Sequence, residues 1–413
     1  MQYFGIEKDK DKILLATLKK KARDFQAIDL CFFDLKSPSD VKQLYKHLNK
    51  KTKIVVSGLN PNETAQKFFL INDEKNFSWK KKSLFSPSFL SHLDPKDSFA
   101  LYKTKKSKKE RAILFFITTK KFLSTHIEDL NKNNIDPDFI SVKTWALSLF
   151  SKTYAPAFKN NYLLHIGFNS ITCLKIKDSI PYKTYHISLG YNFLLNSLKN
   201  DSKKQLSLLV LKEASQEKFP SLFSALETLS KEIKRAFYYL SEENERLPIL
   251  FTGQIENLMD FFQNQTQEFV SEIISLDSKK TKYIPFAGPI GLALEHLQEK
   301  KPLQFRKQSL SSTKQIKKTG SLILQFFFIC LFLSSILFWT GIKTLKPKQE
   351  TLRKKISEFL INEKEIFEQP LDLKLSTNKQ LLDKYNLYLN KTNKIFPYFL
   401  YSPTVTEVLS WLN

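Results

Sequence analysis

The sequence predicts an α/β protein in three parts: a large N-terminal domain, one membrane-spanning helix, and a short helical segment beyond it. Three observations carry this prediction. Short β-type runs alternate with amphipathic helical patterns over residues 1–300, a single uncharged apolar run covers Ser321–Ile342, and apolar residues recur every seven positions after it.

Within the N-terminal part the expected strands are Ile54–Gly58, Ala112–Thr119, Tyr162–Phe168, Leu206–Leu211 and Pro248–Gly253, all rich in Ile, Val, Phe and Leu. The clearest helix is Ser221–Leu240, where Leu222, Leu226, Leu229, Ile233, Phe237 and Leu240 share one face at three- and four-residue spacing. A strand pair opening YFGIEKDKDKILLATL recurs in altered form as LLHIGFNSITCLKIK from Leu163, so the domain reads as two similar lobes, 1–155 and 156–300.

A basic linker, residues 301–320, leads into the apolar run, where Gln325 is the one strongly polar side chain. A helix of roughly 22 residues rising ~1.5 Å each spans ~33 Å, which matches a hydrocarbon core of ~30 Å. Lys317, Lys318 and Lys343 mark the membrane borders, and Trp339 supplies an indole for the far headgroup region. The linker holds no acid, whereas Glu350 and Glu358 lie beyond the span, and the opening MQYFGIEKDKDK lacks a cleavable-signal pattern. The N-terminal domain is therefore expected in the cytoplasm.

In residues 343–413, Leu345, Leu352, Phe359 and Ile366 repeat at heptad spacing with Ile356 between them, a stripe suited to pairing two chains or to packing on a neighbour's helix. Pro347 is expected to open this helix and Glu368-Gln369-Pro370 to close it. Further helical patterns cover Thr377–Ile395 and, after Pro397, the stretch SPTVTEVLSWLN with Val405, Val408, Leu409 and Leu412 on one side.

A net charge of +24 invites a nucleic-acid reading, but the charge is mostly lysine and is spread along the chain, so no nucleic-acid partner is expected. The local clusters, Lys19, Lys20, Lys21 with Arg23 and the stretch Lys103–Arg111, read as solvated hairpin tips, with attraction to anionic lipid as the functional alternative. Cys31, Cys173 and Cys330 are too scattered for a disulfide framework or a finger-type metal pair.

Five pieces of the second lobe then stand in a telling order: Ile166–Asn169, the helix start ISLGYNFL (Ile187–Leu194), KEIKRAFYY (Lys231–Tyr239), LFTG (Leu250–Gly253) and GLAL (Gly291–Leu294). Together they resemble the actin-like ATPase superfamily, and within it the family of the pilus assembly protein PilM and the type II secretion inner-membrane protein GspL. The resemblance implies an actin-like ATPase fold for the two-lobed cytoplasmic domain and a periplasmic place for residues 343–413. The heptad stripe and the PxVxEVLxxL-like end resemble PilN and GspL, where a small ferredoxin-like domain follows.

In that superfamily two glycine-bearing hairpin turns cradle phosphates, because backbone N–H groups approach an anion closely only where no Cβ intervenes. The resemblance maps these loops onto Gly5 and Glu7, onto Gly167 and Asn169, and onto Gly253. Each has departed from the pattern: Glu7 replaces an Asp, Asp9 a Gly, His165 a second Asp, and Gln254 the second of two glycines. ATP with Mg²⁺ is thus the cofactor the fold would imply and these loops are expected to have lost, with no catalytic residue and no metal site. His165 reads as a strand residue beside the former cleft. The family implies a non-enzymatic scaffold in the bacterial inner membrane, single-pass with its N-terminus in the cytoplasm. Its implied partners are a secretion or pilus assembly ATPase (GspE- or PilB-like), another bitopic platform subunit (GspM- or PilO-like) and a second copy of itself. A membrane-tethered ATPase or kinase of the superfamily and an FtsA-like division protein are the alternatives.

Overall fold

The computed structural model of the chain describes residues 2–21, 24–48, 53–72, 98–106, 110–201, 210, 214–243, 245–255, 258–299, 301–306, 310, 313–362 and 383. They divide into two compact units, Met1–Lys317 and Lys318–Asn413.

The first unit opens with an antiparallel meander, β1 (Gln2–Asp9), β2 (Lys12–Lys21) and β3 (Asp24–Asp34), followed by helix α1 (Pro38–Leu48) and β4 (Lys53–Leu59), which runs parallel to β1. A three-stranded antiparallel sheet is inserted next, formed by β5 (Ala65–Asn72), β6 (Ser98–Lys106) and β7 (Glu110–Thr119) in the order β5-β7-β6. Helix α2 (Lys120–Asn131) and strand β8 (Phe139–Val142) return to complete a five-stranded sheet of order β3-β2-β1-β4-β8. Thr119 starts α2 by accepting a hydrogen bond from the Phe122 N–H at 3.3 Å.

Helix α3 (Lys143–Tyr154) leads to the second sheet, built from β9 (Asn161–Ile166), β10 (Ile171–Lys177), β11 (Ile180–Ile187), α4 (Tyr191–Asp201), α5 (Pro220–Leu240), β12 (Leu247–Gly253), α6 (Met259–Thr266) and β13 (Val270–Ile273). Its order, β11-β10-β9-β12-β13, repeats the first strand for strand, as the recurring sequence pattern requires. The six residues expected on one face of α5 are all buried, in the main core of this sheet. Asp201 holds the start of that helix: its carboxylate accepts from the Ser221 N–H at 3.1 Å and the Leu222 N–H at 2.8 Å, just after Pro220 has fixed the first φ.

Helix α7 (Ala287–Gln298) follows the second sheet in sequence but packs over the first, against β1, β2 and α3. The approach is close enough that a Cβ on Gly5 would collide with the Pro289 carbonyl, and one on Gly291 with the Ala146 carbonyl. Beyond it, residues expected to be linker are part of the domain. Leu303 and Phe305 are buried, the Phe305 N–H donates to the Ile140 carbonyl at 2.9 Å, and Arg306 reaches Asp136 and the Pro137 carbonyl. The reason is apolar: Leu303 and Phe305 fill the core between β7, β8 and α3, which outweighs solvation of the neighbouring basic groups.

Helix α8 (Thr313–Asn362) contains the apolar run, and within it Gly320–Lys355 is long and apolar enough to cross a membrane, its apolar window wholly exposed. Pro347 lies inside this helix instead of opening a new one. A proline there removes one N–H and leaves the Lys343 carbonyl without its donor, a local loss that the helix-forming residues on both sides carry through.

Two further expectations change. Val210, the one described residue of the expected strand Leu206–Leu211, is helical, since a short apolar run carries no period that separates strand from helix. Lys103 is not a solvated tip residue, because its ammonium pairs with Glu299 and sits 5.5 Å from the centre of the Trp145 ring. Lys19 and Lys20 are exposed at the end of β2, as expected. Glu368–Pro370, the pattern Thr377–Ile395 apart from Asp383, and the final SPTVTEVLSWLN lie outside the described residues.

Candidate functional site: a cleft filled from within

The two equivalent hairpins, β1–β2 and β9–β10, face each other where an actin-like fold would take its phosphates. The tight turn of the first is at Lys10, with φ 54°, not at Gly5. Gly5 lies inside β1, where its missing Cβ serves the packing of α7. Glu7 and Asp9, on the same side of β1 two residues apart, both project toward the second lobe and are both met there.

Asp9 closes on the second turn. Its Oδ2 accepts the Asn169 backbone N–H at 2.9 Å, and its Oδ1 accepts the Asn169 side-chain amide at 2.6 Å. Asn192, from the first turn of α4, donates to Asn169 Oδ1 at 3.2 Å and fixes the amide's orientation. Gly167 lets the turn fold back, its N–H donating to the Ser170 carbonyl at 2.8 Å, and a Cβ there would press on that carbonyl and on Asp9. The chain's own carboxylate thus takes a backbone N–H that a nucleotide phosphate would require.

Glu7 closes the floor. It is 5% exposed and paired with Lys143, the first residue of α3, while His165 Nε2 lies 3.3 Å from Glu7 Oε1. His165 Nδ1 lies 3.1 Å from Thr252 Oγ1, so β1, α3, β9 and β12 meet in one polar chain. Burial opposes the Glu7 charge, but Lys143 and His165 beside it hold the carboxyl well below its ordinary range. Burial, reinforced by Lys143, lowers the His165 pKa and keeps the ring neutral. An ammonium at a helix N-terminus faces the unfavourable end of the helix dipole, and Glu7 compensates it. Among the described residues Glu7 Oε2 has no hydrogen-bond partner, and it rests against Gly288, where a Cβ would collide with it.

Gly253 ends β12 at φ +87°, and a Cβ there would strike the Ile166 carbonyl, so only glycine suits the position. The Gln254 N–H donates to that same carbonyl at 2.7 Å. Beside these turns remains a cleft of about 410 Å³ whose walls carry Asp9, Glu63 and Asp129. Of its cations, Lys8 is already paired with Asp129. Mg²⁺–ATP does not fit this donor set: Glu7 is held by an ammonium, Asp9 by the turn that would bind phosphate, and two further acids, Glu63 and Asp129, face the space left.

The structure brings together Glu7, Gly167, Asn169 and, through Thr252, Gly253, and sets Gly5 apart. Lys143 was not legible, because a lysine in SVKTW matches no motif, whereas Asn192 lies within the ISLGYNFL piece. On α8, Trp339 and Leu345 are exposed, as is Leu352, and Lys343 Nζ sits 4.4 Å from the centre of the Trp339 ring. Lys317, Lys318, Ile356 and Phe359 lie on this helix with side chains outside the described set, and Ile366 lies outside the described residues.

No protein-family model and no curated protein matches the sequence. Solved structures do. A PilM–PilN type IV pilus biogenesis complex aligns over 72% of this chain and 99% of its own, with TM-score 0.52 and 13% identity. A Bacteroides thetaiotaomicron protein of actin-like ATPase fold covers 66% of this chain and 89% of its own, with TM-score 0.36 and 11% identity. The cytoplasmic domain of EpsL, an inner-membrane component of the Vibrio cholerae type II secretion system, covers 65% and 95%, with TM-score 0.35 and 9% identity. The chain has a two-lobed actin-like ATPase fold followed by one helix fit to span a membrane.

Proposed function

We propose that this chain is a non-enzymatic scaffold of a type II secretion or type IV pilus assembly platform, held in the bacterial inner membrane by α8 with its actin-like domain in the cytoplasm. The observation that carries the reading is the Asp9–Asn169 closure, which spends the phosphate-binding turn on the chain's own carboxylate. A domain that keeps the fold but fills its cleft retains surfaces, not turnover. The similarity to a PilM–PilN complex supports a platform role, and the exposed Leu345 and Leu352 support helix pairing beyond the membrane with a second copy or another bitopic subunit. The domain itself would dock the hexameric assembly ATPase, which supplies the chemistry.

The test is affinity capture of the full chain from crosslinked membranes, with and without ATP depletion. The reading predicts recovery of an assembly ATPase in both conditions. Steady ATP hydrolysis by the purified chain alone, or capture that yields no ATPase, contradicts it.

A further inference from the structure

Strand β3 and helix α1 bring together three side chains that the sequence keeps apart. Asp29 and Cys31, two positions apart in β3, project from the same face of the strand, and His47 reaches them from the last turn of α1. Cys31 Sγ lies 3.2 Å from Asp29 Oδ1, Asp29 Oδ2 lies 3.2 Å from His47 Nδ1, and His47 Nε2 lies 4.0 Å from Cys31 Sγ. One donor atom from each residue falls within 4.8 Å of the other two. We propose that Asp29, Cys31 and His47 bind a divalent transition metal of the zinc class.

The donor set selects the metal. Thiolate and imidazole disfavour Mg²⁺ and Ca²⁺, and sulfur, nitrogen and oxygen together suit Zn²⁺ or Co²⁺. With metal–ligand bonds of about 2.0–2.3 Å at tetrahedral angles, neighbouring donors stand about 3.3–3.7 Å apart, so donors that already lie within 4.8 Å of one another close by on the order of 1 Å to take up an ion. Three protein ligands leave one position for water, and all three residues are half-buried, so an ion has a path in. In the metal-free state Asp29 bridges the other two, one oxygen facing the thiol and the other accepting the His47 Nδ1–H, and the ion takes the place of these contacts.

The surroundings hold this arrangement. Cys31 packs on the core that contains Ile13, Leu15, Phe33 and Leu44, and the Phe33 ring lies 5.8 Å from that of His47. Binding breaks the S–H bond, forms a metal–sulfur bond and releases the proton to solvent. The ion would fasten the edge strand β3 to α1. Without one, the same three residues form only a hydrogen-bonded clasp, and the two states differ in their spectra.

The test uses the full chain in detergent, reduced and stripped with chelator, and titrated with Co²⁺. Expected are one equivalent bound, a sulfur-to-cobalt charge-transfer band in the near ultraviolet, and its loss on adding Zn²⁺. Cys31→Ser removes the band, His47→Gln weakens Co²⁺ binding about tenfold or more, and the Cys173→Ser/Cys330→Ser variant keeps both. A wild type without the band, or a Cys31→Ser protein that retains it, overturns the proposal. Should Cys31→Ser not fold, His47→Gln and Asp29→Asn decide: undiminished affinity in both refutes the site.

Discussion

The carboxylate of Asp9 accepts both the backbone N–H and the side-chain amide of Asn169, at 2.9 and 2.6 Å, across the cleft between two equivalent hairpins. One hairpin has supplied the anion that its counterpart is shaped to hold.

Asp9→Ala leaves the two Asn169 donors without their acceptor. The expected cost is about 1–3 kcal/mol, read as an earlier thermal unfolding of the full chain in detergent. Asp9→Gly also restores a permissive turn, so weak binding of inorganic phosphate is expected with this variant and not with wild type.

Lys143→Met strips Glu7 of its ammonium inside the fold, and removing one partner of a buried pair costs about 3–5 kcal/mol. In wild type the Glu7 pKa is depressed, so its contribution is present above the unfolded value of 4.5 and is lost only as the pH falls through the lower folded one. In the variant burial dominates and raises that pKa, so stability is expected to improve on acidification. The double variant Lys143→Met/Glu7→Gln is expected to recover most of the loss, and denaturation at several pH values checks all three proteins.

Glu295 reports on residues 301–306, which follow α7 and pack into the domain. It accepts from Ser141 Oγ and, at 2.5 Å, from the Leu303 N–H, and burial pushes its pKa from 4.5 up to about 7. A raised carboxyl favours folding while protonated, so stability falls as pH rises through the window from 4.5 to 7. Glu295→Gln keeps an acceptor for Leu303 and cannot ionise. It is expected to melt above wild type at pH near 8, by on the order of 2–3 kcal/mol, with the gap closing toward pH 5.

Gly5→Ala separates two roles for that residue. If its lack of Cβ serves the crossing with α7, the variant loses about 1–3 kcal/mol or more in the metal-free, nucleotide-free chain, because the added methyl meets the Pro289 carbonyl. Unchanged thermal stability would show that α7 does not need this glycine.

Much of the fold was legible, and the reasons are physical. Duplicate hairpins leave duplicate alternation of apolar residues, so Phe4–Leu18 and Leu163–Ile176 read alike and pair alike. The apolar face of α5 and the run Ser321–Ile342 are periodic or long enough to stand out unaided. What stayed hidden are contacts made by the chain's return. Leu303 and Phe305 look like linker until β8 is beside them, and Lys143 is an ordinary lysine until β1 brings it Glu7. Cys31 and His47 meet only because α1 lies back along β3. Asp9 was legible as a lost glycine, but the Asn169 amide that replaces the phosphate with Asp9 itself was not.

Closure of the cleft by the chain's own groups is tested most directly by titrating the full chain in lipid nanodiscs with labelled ATP and Mg²⁺. Wild type is expected to show no saturable binding. Stoichiometric, Mg²⁺-dependent binding would mean that Asp9 leaves Asn169 and Glu7 leaves Lys143 when nucleotide arrives, and it would return the domain to the nucleotide-binding members of its fold.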